Sequence, residues 1–479
     1  MAAEVLKTLT DHIISLAMLG LLVTPRLSAQ NFTNIYNFTP TDSNTGTNND
    51  GANPVGGLIS DGSRLYGTTY NGGDFGAGTI FVVNTNGTGF QTLHSLSGNY
   101  YSFTDNEGAN PTANLVLSSN VLYGTAYHGG DNDCGTVFKL NTDGTCFSNI
   151  YTFTGGDNNP TGVVLSGNIL YGTTHASPGT IFKVNTDGTC FSNICYFTAG
   201  SLPSCLTLFS NVLYGTLQIG GDHSFGLIFA IKTDGTGYTN LYSFSAESYD
   251  PLTNVETNSD GAEPKAGLTL SGNRLYGTTS SGGFAGDGTL FAINTDGTDF
   301  TNLYNFTNLY NYSPGEGDVS PMSAPIVAGN TLFGTVPYGN GWPVGATFGE
   351  VYAINTDGTG FSILHTFTFL EGATPQAGLA LVGNSLYGTA SEGCNVLSSP
   401  YDPYYFGFGT VFSVLLPPPQ LTIVLSGTNV ILTWPANGTA FNLQWTTNLV
   451  SPVVWTPVSG QNAVTNPILG SQMFYQLSQ

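Results

Sequence analysis

"GTLFAINTDGTDFTNLYNFT", Gly288–Thr307, decides the fold. It holds two apolar runs joined by Thr-Asp-Gly, and Asp-Gly between apolar runs marks a hairpin because Gly accepts the positive φ of the turn. Its closing half stands alone as "NFTNIYNFT" at Asn31–Thr39, before any opening half has occurred. Working outward, "LYGT" starts at Leu65, Leu122, Leu170, Leu213, Leu275 and Leu386, and "LFGT" at Leu332, so seven copies recur 43 to 62 residues apart. Each is followed by a Gly-led run such as "GTIF" at Gly78, "GTVF" at Gly135 or "GLIF" at Gly226. Several short strands per unit at this period are the pattern of a propeller blade. In the unit around Gly288, strand A is "AGLTLSG", B "RLYGTT", C "GTLFAIN" and D "FTNLYNF". Gly inside the B strand predicts a place where neighbouring backbone packs close.

The seventh unit lacks its D strand, because "GTVFSV" at Gly409–Val414 runs straight into "LLPPPQ". The orphan at Asn31–Thr39 is the missing piece. The chain is therefore expected to be all-β, a seven-bladed propeller over residues 30–415 closed by its N-terminal strand. Closure removes the open sheet edges that invite aggregation. The recurring "LYGTT" with a following Gly-Gly pair, "GTIF" and "NTDGT-x-F", spread over residues 31–414, resemble the choice-of-anchor tandem-repeat (GloVer) family of bacteria. That resemblance implies a secreted repeat protein whose C-terminal attachment module varies among members, and it transfers no catalytic residues.

Composition fits such an array. The chain has 479 residues, 64 Gly and only 8% charged side chains, but 12% aromatic ones that can fill a core. Lys7, the apolar stretch Ile13–Val23 and Ala29 read as a secretory signal over residues 1–29. Its removal takes away Glu4, Asp11, Lys7 and Arg26, so the net charge stays at −22. Such an excess repels nucleic acid and anionic lipid, for which a basic patch would be needed. A bacterial protein, secreted or at the cell surface, monomeric and not inserted in a membrane, is expected. Six cysteines form no metal motif, and Cys195 with Cys205 is the one pair considered for a bridge.

Residues 416–420 form a proline-rich linker. Beyond it, 421–479 carries three of the four tryptophans and alternating runs, "NVILTW" and "AFNLQW", that suit half-buried strands. This tail is expected to be a small β-sandwich resembling a shortened fibronectin type III domain.

In a four-stranded antiparallel blade the A–B and C–D turns share one face of the disc, and the B–C loops and D–A crossovers share the other. The second set is long and unlike from blade to blade, so the binding face is expected there. Three groups occupy it. Trp342, Tyr401, Tyr404, Tyr405 and Phe408 (with Phe406) could stack on sugar rings, or could pack among themselves. Asp50, Glu107, Asp260 and Glu371 open four "acid-Gly-Ala-x-Pro" crossovers; they could gather Ca2+, or could each cap their own turn. His128, His175 and His223, near Asp131, Asp133 and Asp222, share no metal-binding spacing. No nucleophile-elbow, Walker or H-E-x-x-H signature is present. The leading expectation is a non-catalytic propeller that binds a glycan or extracellular partner and needs no cofactor. The alternatives are a polysaccharide- or lactone-active enzyme using channel carboxylates with a divalent cation, and a structural repeat protein.

Overall fold

The computed structural model describes residues 32–98, 107–130, 132–155, 159–198, 200–250, 255–307, 320–337, 348–394 and 407–417, and strand segments between 422 and 478. Among these residues every regular element is a β-strand. Blade 1 shows the plan, with strands A Ile59–Ser60, B Arg64–Thr69, C Thr79–Asn84 and D Gln91–Ser95 paired in that order. Blades 2 to 6 repeat it over residues 116–152, 160–196, 207–243, 269–305 and 326–366. Blade 7 takes A, B and C from Ala380–Val382, Ser385–Ala390 and Thr410–Leu415, and its outer strand is Phe32–Asn37.

The borrowed strand matches the others in detail. Tyr36 pairs with Val411 and Asn34 with Phe412, with a bulge between them. In blade 1, His94 pairs with Ile80 and Thr92 with Phe81, and the bulge falls at the same place. The orphan segment is thus a D strand in register and irregularity alike. Thr389 Oγ1 of blade 7 donates to Gly56 O at 3.0 Å, the bond that Thr278 makes to Ser323 O and Thr335 to Ala377 O at 3.0 Å across internal seams. The closing seam is built like the rest.

The core lies between blades. Leu65, Phe81 and Val83 of blade 1 pack with Phe38, Tyr387 and Val411 from the blade 7 side, and Tyr66, Ile80 and Val82 pack with Leu122, Phe138 and Leu140 of blade 2. B strands are buried along nearly their whole length because both of their faces meet a neighbour. The glycine within "LYGT" answers chiefly to a ring, and at Gly172 also to backbone, where a Cβ would lie 2.6 Å from Gly162 O. Gly67 pairs with Phe81, and a Cβ on Gly67 would lie 2.6 Å from that ring's Cζ. The C–D turn glycines do meet backbone. Gly87, at φ 83°, would put a Cβ 3.1 Å from Ile35 O of the preceding blade.

In the tail, the described strands form two three-stranded sheets: Thr422–Ser426, Asn429–Thr433 and Ala463–Pro467 in one, Thr456–Pro457, Asn442–Thr446 and Phe474–Ser478 in the other. Leu432 and Leu443 are buried. Trp434 and Trp455 lie outside the described residues.

Candidate functional site

The four crossover carboxylates are each held inside one blade seam. Asp50, buried, accepts from Tyr36 Oη at 2.8 Å, from Thr39 N at 2.9 Å and from Thr39 Oγ1. Asp260 repeats this with Tyr242 Oη at 2.8 Å, Ser245 N at 2.9 Å and Ser245 Oγ. Burial, then the adjacent carboxylate, pushes the Tyr36 and Tyr242 hydroxyls well above their ordinary pKa. Glu107 meets His94 Nε2 at 3.1 Å. Glu371 meets His365 Nε2 at 3.5 Å and accepts from Thr368 N at 3.0 Å and Thr368 Oγ1 at 2.8 Å. Asp50, Asp260 and Glu371 close the turn after their own D strands, the capping chemistry of acidic turn residues. Among the described residues no three His, Cys, Asp or Glu side chains gather as a metal site.

The ring on six of the seven D strands makes a second contact that the sequence did not disclose. It lies flat on the aromatic residue of the next blade's "NTDGT-x-F". Tyr36 stacks on Phe90 at 3.6 Å between centroids, His94 on Phe147 at 3.8 Å, Tyr151 on Phe191 at 3.7 Å and Tyr242 on Phe300 at 3.8 Å. Tyr304 stacks on Phe361 at 4.0 Å, and His365 on Phe32 of the N-terminal strand at 3.8 Å. Six seams carry this pair. The seventh, between blades 3 and 4, has Cys195 opposite Tyr238, and Tyr238 is 44% exposed. Both halves of the pair recur at fixed places in the repeat, so aligning the units would have shown Cys195 as the odd residue.

The other sequence candidates are dispersed. Trp342, Tyr401, Tyr404, Tyr405 and Phe406 lie outside the described residues, as does Asp131. Phe408 is half-buried against the cluster between blades 7 and 1, and its backbone bonds to Gly393 and Asn53. His128 Nδ1 lies 3.4 Å from Asp133 Oδ1, while His223 and Asp222 are exposed. Burial lowers the His175 pKa, which a bond to the Pro203 backbone partly offsets. Cys195 and Cys205 are both free thiols, which corrects the bridge considered for them. The reason is radial: Cys195 sits in the outermost strand of blade 3, whereas Cys205 leads into the innermost strand of blade 4 and donates to Thr161 O at 2.9 Å.

The axial channel is a cavity of about 420 Å³ lined by A strands and the segments before them, including Asn114, Thr161, Lys265, Ser323 and Gln376. Among the described residues of the lining Lys265 is the one charged side chain, and no carboxylate is among them. On the B–C/D–A face, Phe284 is 83% exposed and Phe75 50%, each on a B–C loop, with Leu370 exposed on a crossover. Sequence reading also missed Glu247, on the crossover after blade 4. Burial, then Glu256 and Glu263, raises its pKa to about 7.

A closed ring of seven blades, with ring stacks at six seams and carboxylate contacts at four, defines the chain as a tandem-repeat β-propeller. It belongs to the Gloeobacter/Verrucomicrobia repeat family, whose sequence profile matches residues 18–177, 99–254, 177–396 and 245–440. No curated protein matches it. Solved structures to which it is similar include the RRP9 WD40 repeats, at 10% identity and a TM-score of 0.49 over 81% of this chain and 98% of that one. An oligogalacturonate lyase from Vibrio parahaemolyticus is similar at 12% identity and a TM-score of 0.47, over 81% and 98%. PorZ, a bacterial surface component of the type-IX secretion system of Porphyromonas gingivalis, is similar at 11% identity and 0.45, over 92% and 60%.

Proposed function

We propose that the protein is a secreted or cell-surface binding propeller that holds a glycan or another extracellular partner on its B–C/D–A face. The observation that carries this reading is the exposure of Phe284 and Phe75 on the B–C loops of blades 5 and 1 of an otherwise closed scaffold. Flat apolar side chains in water on a rigid face are suited to stack on the C–H faces of sugars. Trp342, Tyr401, Tyr404 and Tyr405 belong to the same loop set by sequence and join the proposed surface. In this reading residues 1–29 direct export, and the small tail, fibronectin type III-like by its strand pattern, serves attachment. An enzyme working through channel carboxylates is the weaker alternative, since the crossover acids are spent on hydrogen bonds and the channel lining offers an amine instead.

A glycan array probed with the full chain tests the reading. Binding to a defined group of glycans is expected, with a loss of about tenfold for Phe284→Ala or for the joint Tyr404→Ala, Tyr405→Ala change. Binding that ignores both variants, or no binding at all, would remove the proposal.

A further inference from the structure

Six seams fill one slot with a ring from the D strand, and four of them add a carboxylate behind it. Between blades 3 and 4 both pieces are cut down together. Cys195 stands in place of the ring. In sequence Ala199 holds the acid's place in the crossover motif, and Ser201, 2% exposed, pairs its Oγ with Thr198 Oγ1 at 3.0 Å, at the spacing by which Thr368 meets Glu371. The volume they vacate is open: a cavity of about 660 Å³ lies there, walled by Cys195, Thr198, Ser201, Leu217, Ile219 and Tyr238. Tyr238 still lies parallel to Phe229, with centroids 5.9 Å apart, as Phe300 lies on Phe291 at 5.6 Å in blade 5. The receiving half of the stack is therefore in position, and its outer face meets solvent.

We propose that this seam binds a small molecule bearing an uncharged, hydroxylated aromatic ring, phenol-like at its anchoring end. The ring takes the slot held elsewhere by Tyr or His and stacks on Tyr238. Its hydroxyl reaches the Thr198–Ser201 pair, which can both donate and accept. Three features favour a neutral ring. The crossover carboxylate that elsewhere partners a Tyr hydroxyl or a His is missing from this crossover, where Ala199 holds its place in the motif. No charged side chain is among the described residues of the lining. A chain of net charge −22 disfavours an anion. The cavity exceeds a single ring, so the ring is the anchor of a larger ligand. This inference does not rest on the glycan reading of the loop face.

The probe is 4-methylphenol added to the full chain, followed by calorimetric titration and by the rate at which iodoacetamide alkylates Cys195, read by peptide mass spectrometry. Saturable binding with a Kd on the order of 1 mM is expected for a ligand this small. It should slow Cys195 alkylation several-fold while leaving exposed Cys146 and Cys190 unaffected. Cyclohexanol, of similar size but not flat, should bind about tenfold more weakly. Cys195→Tyr should refill the slot and abolish binding, Tyr238→Leu should weaken it about tenfold, and Cys195→Ala should retain it. No saturable binding, equal protection by cyclohexanol, or binding that survives both Cys195→Tyr and Tyr238→Leu would overturn the proposal.

Discussion

Asp partners Tyr and Glu partners His throughout the capped seams: Asp50 with Tyr36, Asp260 with Tyr242, Glu107 with His94, Glu371 with His365. Reach explains the pairing. A Tyr hydroxyl projects beyond its ring and meets the shorter acid, whereas a His nitrogen lies on the ring edge and needs the extra methylene of Glu. Asp50→Ala leaves the Tyr36 hydroxyl and the Thr39 amide and hydroxyl without their acceptor, and should cost about 2 to 3 kcal/mol in urea unfolding. Asp50→Glu should lose part of that, because the longer chain overshoots the same donors. Glu247 behaves oppositely. Its folded pKa, about 7, lies above the ordinary 4.5, so ionisation opposes folding. That penalty is full above pH 7 and fades as pH falls toward 4.5. Glu247→Gln should therefore raise the thermal midpoint at pH 8 and give no advantage at pH 4.5.

At the scale of the strand, seven glycines in the B strand face seven rings in the C strand, and blade 6 is the exception in kind. There Tyr352 replaces Phe opposite Gly334, its side chain fully buried. Its hydroxyl has no hydrogen-bond partner among the described residues. Burying a hydroxyl without a partner is unfavourable. Tyr352→Phe should stabilise the protein by about 1 kcal/mol, measurable as a raised urea midpoint at unchanged slope. The strands themselves were legible from "LYGT", "GTIF" and "NTDGT", because Gly, Asp-Gly and short apolar runs act locally. The chief partner of the strand glycine was misjudged as backbone, since a ring across the ladder is named by register and not by neighbours in sequence. The crossover acids were read in both ways, as cation ligands and as caps, because spacing within one loop does not reveal the Tyr or His that answers it. The ring stacks escaped notice for the same reason, as each joins two blades.

The whole molecule is held by one borrowed strand. Removing residues 1–39 would strip Phe32 from His365 and Tyr36 from Phe90, and would bare the Thr410–Leu415 edge. The shortened chain should associate in light scattering, as an open sheet edge recruits others. A synthetic peptide with the sequence of Asn31–Thr39 should restore the monomer, and a Tyr36→Ala version should restore it poorly. Continued association with the unaltered peptide would contradict the closure. The ring count and its closure followed from the missing seventh D strand, whereas the identity of the ligand surface did not, because the deciding loops differ from unit to unit.

A consequence reaches to biosynthesis. Phe32 leaves the ribosome some 380 residues ahead of Val414, its pairing partner. Its hydrogen-bonding edge must therefore be kept from unwanted company while six blades are made. The circle can be clasped only after nearly all of the polypeptide has been delivered, and a single proteolytic cut just beyond Asn37 would loosen the first-made and last-made segments together.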